Sequence, residues 1–335
     1  MKAIVYPRYG SADVLQFTEV ETPAPKDDEI LIKIHAASVN ALDGHFLSGK
    51  PFPLRIDNGL RTPKIQRLGV DLAGRVEAVG SSVTRFQPGD DVFGGRGLGA
   101  LAEYKCLREE DVVLKPAALS FEAAAAVPVA AITALQGLRD HGQIQPGQRV
   151  VISGATGGVG TFAVQIAKAF GAEVTAVCST KNVEMVRSIG ADHVIDYTQE
   201  DFTKNGQRYD LILAVNGYHP IFAYRRALQP KGRYVMAGEG SNAHLLGAMF
   251  QVMLLGPVIA RTRKQKMGTF LAKITQQDLV FVKELLEAGK VVPVIDRCYP
   301  FSETVEAFRY FDAGHAKGKV VITMEQNDHT SSSGD

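Results

Sequence analysis

Cysteine is scarce: Cys106, Cys178 and Cys298 are the only three in 335 residues. They are odd in number, far apart and never spaced as CxxC, which argues against a disulfide framework and a cysteine-rich zinc lobe. Free thiols fit a reducing cytoplasm. An excess of one charge is also missing, because 37 basic and 36 acidic residues leave +1. No nucleic-acid or anionic-membrane partner is implied. Long apolar runs are lacking as well. The longest, AAAAVPVAAITALQGL at 123–138, is too short for a bilayer and contains Pro128, so no membrane insertion is expected. MKAIVYPRYG enters a strand-like alternation without a signal-peptide pattern, which again points to a cytoplasmic protein.

What is present suits a two-domain α/β enzyme. Hydrophobic residues make up 45% of the chain, enough for a substantial core. Residues 1–122 read as short strands punctuated by Pro, Gly and Asp, the pattern of a small β domain. Residues 123–274 start with one helical stretch, FEAAAAVPVAAITALQGL, that straddles the boundary. Strands and helices then alternate, which predicts a doubly wound parallel sheet. The segment 275–326 resembles residues 1–122 more than the middle of the chain and is expected to complete the β domain. The polar tail 327–335 is expected to be disordered.

The segment RVVISGATGGVGTFAVQIAKAFG (149–171) carries the strongest signal. Gly154, Gly157 and Gly160, with Ala155, Thr156, Gly158 and Val159 between them, follow a strand and open a helix. Its apolar stripe is Val159, Ala163, Ile166, Ala167 and Phe170. Glycines there allow a tight turn and close backbone approach to a pyrophosphate at the helix N-terminus. The spacing is GxxGxxG, so its specificity comes from the strand–turn–helix context; the alternative is a turn without a ligand. The next strand, EVTAVC, ends in Ser179, Thr180 and Lys181, with no carboxylate before Glu184. An acid at that end would favour NADH, whereas hydroxyls and an ammonium favour the 2′-phosphate of NADPH. Lys181 could otherwise be an ordinary solvated lysine.

AASVNALD (36–43), GVDLAGRVEAVGSSVTRFQPGDDVFG (69–94), AAITALQGL (130–138), GATGGVG (154–160), GADHVIDY (190–197) and the segment 289–323 together resemble one family. It is the medium-chain dehydrogenases/reductases, in their zinc-independent quinone oxidoreductase branch, over nearly the whole chain. The resemblance implies a GroES-like β domain completed by C-terminal residues, a Rossmann domain and an active site in the cleft between them. It also implies cofactor contacts: Thr133 at the nicotinamide end, Tyr197 at the adenine, Gly238 at the nicotinamide ribose and Lys319 at the pyrophosphate. Tyr197 could instead be a surface aromatic, and Lys319 a solvated edge-strand lysine. By the same analogy the protein is a homodimer, with GTFLAKI (268–274) as a sheet edge that pairs across a two-fold axis.

The departures from zinc-dependent relatives carry as much information. Where those have Cys, His and a third ligand, this chain has Asn40, Val70 and Val129. Valine cannot ligate, so no metal is expected. Leu42 falls where those relatives keep a relay hydroxyl, which argues against alcohol oxidation. Another group must then stabilise the oxyanion formed by hydride delivery, and Asn40 is the candidate catalytic amide. Its alternative is a turn-capping role. Asp43 is read as holding the loop and Asp71 as a buried structural acid. The loop 49–69 reads as a lid or a solvated loop. The apolar segment 245–266, with its basic end, reads as a packed helix that could also enclose a substrate or touch a membrane weakly.

The leading functional expectation is hydride transfer from NADPH to a quinone or an α,β-unsaturated carbonyl. The alternatives are a non-catalytic NADPH-binding sensor or assembly protein and, further off, an alcohol dehydrogenase.

Overall fold

The computed structural model describes residues 1–217, 219–238 and 242–324; the expected disordered tail, 327–335, lies outside the described residues. Two sheets organise the chain. The first has seven strands, in the order Ile295–Pro300, Lys319–Thr323, Glu29–Val39, Asp71–Val79, Asp91–Gly94 and Val112–Leu114, with Tyr104–Arg108 also on Glu29–Val39. Its organising strand, EILIKIHAASV, pairs antiparallel with three neighbours along its length. Ile30, Ile32 and Ile34 enter one core cluster. A bulge between Ile34 and Ala36 then reverses the alternation, so Ala37 and Val39 join that cluster while Ala36 faces another. The same shift sends Ser38 to the face that carries Asp71.

The second sheet has six parallel strands in the order His193–Asp196, Glu173–Cys178, Arg149–Ser153, Tyr209–Ala214, Leu228–Met236 and Lys266–Thr269. This is the 3-2-1-4-5-6 order of dinucleotide-binding folds, and its direction reverses beside Arg149–Ser153. Helices cover both faces, so central strands such as VVI and LILA read as unbroken apolar runs.

Some elements differ from expectation. The stretch 121–138 forms two helices, Phe121–Ala125 and Pro128–Gln136, because Pro128 has no N–H to continue the first and instead starts the second. Helix Gln276–Glu287, expected to complete the β domain, buries Leu279, Val282 and Leu286 in the cluster of Leu135 and Phe162. The loop 49–69 contains the helix Pro53–Asn58, and its Asn58 amide is buried against the Tyr6 hydroxyl at 3.3 Å. The expected edge strand 268–274 is Lys266–Thr269: it starts two residues sooner and ends before Phe270.

The helix expected within 245–266 spans Asn242–Arg263. It buries Val252 and Ile259 and exposes Phe250, Met253, Leu254 and Val258. Among the described residues no helix is long and apolar enough to cross a membrane.

Candidate active site

Three neighbouring strand ends build one polar cluster. Ser38 pairs with Asp71 and Val39 with Val320, so Asn40, Asp71 and Lys319 converge. All three are buried, Lys319 at 3% and Asp71 at 0% exposure. Asp71 Oδ2 accepts from Ser38 Oγ at 2.9 Å, Asn40 Nδ2 at 2.9 Å and Lys319 Nζ at 3.4 Å. Asp71 Oδ1 accepts from the Val129 amide at 2.9 Å, which fixes the start of Pro128–Gln136 over the site. Lys319 Nζ also donates to Asn40 Oδ1 at 2.6 Å and Val39 O at 3.2 Å. A buried ion pair of this kind is expensive to desolvate, and it persists because both charges are saturated with hydrogen bonds. Burial pulls the Lys319 ammonium below the usual lysine range, while Asp71 and Asp43 oppose that shift.

Asn40 starts helix Ala41–Ser48, and the Asp43 carboxylate reaches back to the Asn40 amide at 2.8 Å. The other Asp43 oxygen accepts from the Gly69 amide at 2.8 Å. Asp43 therefore fixes both the helix start and the approach to Asp71. Burial pushes its carboxyl up to about 6, while the Gly69 and Asn40 amides oppose the shift. Thr133 lies one turn beyond Val129, buried, with its hydroxyl on the Val129 carbonyl at 2.7 Å.

The glycine turn joins this cluster through the backbone. Gly318 N donates to Thr156 O at 2.8 Å, and Gly157 forms a parallel bridge with Gly318. Each glycine has its own reason. Gly154 has φ +78°, and a Cβ there would meet Asn216 at 2.6 Å; at Gly160 it would lie 2.1 Å from the Gly154 carbonyl. At Gly158 it would lie 2.8 Å from Lys319 Cδ. Gly157 differs: it has extended backbone, and a Cβ would meet only Gly154 O, at 3.8 Å. The fold itself does not require glycine there. The position instead leaves room beside helix Gly158–Ala169, whose first turn has no side-chain cap. Amides with no side-chain partner, next to a cradle that a methyl would fill, suit a pyrophosphate. Ala155 is buried, with its amide on Val177 O at 3.2 Å, and Val159 is partly buried.

The remaining sequence candidates follow C-terminal ends of the parallel strands, where such sheets bind ligands. Gly238 lies 2 residues past Leu228–Met236, and a Cβ there would approach Val215 O at 2.8 Å. Ser179, Thr180 and Lys181 follow Glu173–Cys178; Thr180 and Lys181 are exposed. Tyr197 is 64% exposed, with its amide on Cys178 O at 3.0 Å.

Sequence reading misses two groups here. Asp196 ends the adjacent strand in register with Cys178, and its carboxylate accepts from the Thr180 hydroxyl. EVTAVC itself is followed by no acid before Glu184, as its sequence reads, and the carboxylate comes from the neighbouring strand. The Thr180 hydroxyl holds the Asp196 carboxyl below its usual range. The position is legible in HVID, since it ends the strand beside EVTAVC. Asn182 is buried and donates to Ser179 Oγ at 3.1 Å, and its Oδ1 has no hydrogen-bond partner among the described residues.

Lys105 is a third. It is buried on Tyr104–Arg108 and donates to Arg96 O and Gly97 O, both at 2.9 Å. The loop it holds lies on the site, because a Cβ at Gly95 would be 2.2 Å from Val70 O. Burial pushes the Lys105 amine down to about 7, reinforced by Arg67 and opposed by Asp43, Asp111 and Asp71.

The donor set does not make a zinc site. Val70 and Val129 have no ligating side-chain atom, and Asn40 Oδ1 and Asp71 Oδ2 are both taken by the Lys319 ammonium. Among the described residues no group of three or more His, Cys, Asp or Glu could hold a metal ion.

This geometry makes two predictions. Gly157→Ala should keep its thermal stability while dinucleotide affinity, read by calorimetry, falls at least about tenfold. Gly160→Ala should instead unfold at markedly lower temperature, by the several kcal/mol typical of overpacking beside backbone. The second concerns pH. The Lys105 pKa is depressed in the folded protein, so its stabilising contribution is full above the unfolded pKa and is lost as pH falls through 7. Denaturant titrations from pH 7 to 9 should show wild type gaining on Lys105→Met by up to about 1.4 kcal/mol per pH unit. A flat difference would mean that Lys105 is not buried as an amine.

The comparisons with known proteins agree with this geometry. Residues 26–117 match the family described as alcohol dehydrogenase GroES-like domain, and residues 189–322 the one described as zinc-binding dehydrogenase. The chloroplastic quinone oxidoreductase QR1 of Triphysaria versicolor is 32% identical, over 96% of this chain and 98% of its own. The chloroplastic NADPH-dependent alkenal/one oxidoreductase of Arabidopsis thaliana is 34% identical, over 96% and 79%. Among solved structures, the quinone oxidoreductase from Coxiella burnetii superposes with a TM-score of 0.83 at 30% identity, covering 97% of this chain and 99% of that one. With two sheets, a glycine turn bridged to a polar cluster, and full-length likeness to these enzymes, the chain belongs to the quinone oxidoreductase branch of the medium-chain dehydrogenase/reductase family, nicotinamide-dependent oxidoreductases.

Proposed function

We propose that this protein reduces quinones or α,β-unsaturated carbonyls with NADPH and without zinc. The observation that carries the reading is the backbone bridge Gly157–Gly318, which joins a ligand-ready glycine turn to the buried Asn40–Asp71–Lys319 cluster. The names of the Triphysaria and Arabidopsis relatives, a quinone oxidoreductase and an alkenal/one oxidoreductase, support the two substrate classes.

NADPH, when bound, supplies the hydride. The turn Gly154, Ala155, Thr156, Gly157, Gly158, Val159 and Gly160 would cradle its pyrophosphate, with the amides at 158–160 toward it, since the Ala155 amide is on Val177 O. Ser179, Thr180 and Lys181 would hold the 2′-phosphate, with Tyr197 at the adenine. Asp196 weighs against a phosphate there, but its carboxylate is engaged by Thr180 and by the Thr198 amide and hydroxyl. Thr133 and Gly238 border the nicotinamide end. Asn40 Nδ2 donates toward the substrate carbonyl oxygen. In a quinone or enone, conjugation spreads the developing charge, so a neutral amide donor suffices where an isolated ketone would need a metal. Solvent water protonates the resulting enolate.

We also propose that the protein is cytoplasmic, on the strength of its three free cysteines. We propose a homodimer through Lys266–Thr269, which ends the parallel sheet beside the 84% exposed Leu271.

Nicotinamide absorbance, followed with NADPH and a panel of quinones and enones, is expected to fall with at least one class. Lys181→Ala should lower the NADPH-over-NADH preference in kcat/KM roughly tenfold, the size of one charge-assisted hydrogen bond. Tight NADPH binding with flat traces across the panel would favour a sensor or assembly protein instead. An unchanged preference would remove Lys181 from the site.

A further inference from the structure

We infer that Lys319 is a positioning residue that sets the orientation of the Asn40 carboxamide and couples it to the seating of the glycine turn. The inference rests on the reductase reading for the role of Asn40, but its geometry stands apart from that reading.

A carboxamide has two orientations, related by a half-turn, that exchange its oxygen and nitrogen. At Asn40 two opposite charges distinguish them. The Lys319 ammonium donates to Oδ1 at 2.6 Å, and the Asp71 carboxylate accepts from Nδ2 at 2.9 Å. In the flipped form the ammonium would face an NH₂ group and the carboxylate an oxygen. Once the amide is fixed, one Nδ2 hydrogen goes to Asp71, and the other has only Ser38 O nearby, at 3.4 Å. That long contact leaves the second hydrogen as the donor available to a substrate oxygen. An ammonium on Oδ1 also draws electron density from the amide and makes Nδ2–H a stronger donor.

The sequence resemblance assigns Lys319 to the pyrophosphate, but its ammonium is already saturated. Its three hydrogens meet three oxygens, on Val39, Asn40 and Asp71, in a site 3% exposed. Its methylenes, by contrast, do lie on the turn, with Cδ where a Gly158 side chain would be, and the preceding Gly318 is bonded to Thr156. Backbone and stem therefore touch the phosphate cradle while the charged end holds Asn40. A shift of the turn moves Lys319, and with it the donor.

The test is a kinetic cycle with a structural readout. Lys319→Gln should lower kcat about tenfold while the Kd for NADPH stays within about twofold, and Lys319→Arg should recover part of the loss. In an Asn40→Ala background, Lys319→Gln should cost less than about twofold more, because the two residues act as one unit. A crystal structure of Lys319→Gln should show the Asn40 side chain shifted from its wild-type position, with Asp71 alone left to orient it. Should that variant not fold, Lys319→Gln with Asp71→Asn removes both charges, and the same kcat loss at constant Kd is expected.

Three results would overturn the assignment: a Kd raised more than tenfold at unchanged kcat, losses that multiply in the double variant, or an Asn40 side chain left in its wild-type position. If wild type turns over no quinone or enone, the reductase reading fails, and the Asn40 orientation in Lys319→Gln still decides the role of Lys319.

Discussion

The contact between Gly318 and the glycine turn is where the two sheets meet at one site. The strand Lys319–Thr323 begins at that contact and runs into the first sheet between Ile295–Pro300 and Glu29–Val39. The turn belongs to the second sheet, since it follows Arg149–Ser153. Neither sheet carries both the glycine turn and the Asn40 amide. With Gly157 opposite Gly318, the residue one step along the strand is Lys319, its methylenes against Gly158 and its ammonium on Val39, Asn40 and Asp71 of its own sheet. The polar cluster depends on this register, because Lys319 can saturate Asp71 and Asn40 only from there.

Val70 and Val129, which border the cluster, offer no metal ligand. In this chain a buried ammonium supplies the positive charge, balanced by Asp71 and spread over two further oxygens. An ammonium that is fully hydrogen-bonded is a weaker electrophile than a metal with an open coordination position. Such a site suits substrates whose own conjugation shares the charge. Lys105 plays a comparable structural part on the other side, holding the Arg96–Gly97 loop against Val70.

Much of this is legible in the sequence because it rests on local rules. The alternation of apolar runs with helical stripes marks the parallel sheet. The strand–glycine–helix context locates the turn. Long-range register is less legible. Nothing near Lys319 in the chain says that it is buried, and its partners lie 248 and 279 residues away. Asp71 can be read as a buried acid, but its four partners come from three separate segments. Asp196 escapes a search for an acid that follows the chain past Thr180. The relevant neighbour lies sideways, on the adjacent strand. The split at Pro128 and the reversal of phase after Ile34 are local, yet each needs its three-dimensional partner to show what it accomplishes.

A crystal structure with NADP⁺ and a quinone bound together tests the central claim most directly. The expected result is the pyrophosphate against the amides at 158–160 and the quinone oxygen within hydrogen-bond distance of Asn40 Nδ2, with Lys319 still on Asn40 and Asp71. A dinucleotide bound elsewhere, or a quinone oxygen held by a metal ion or by another side chain, would contradict it.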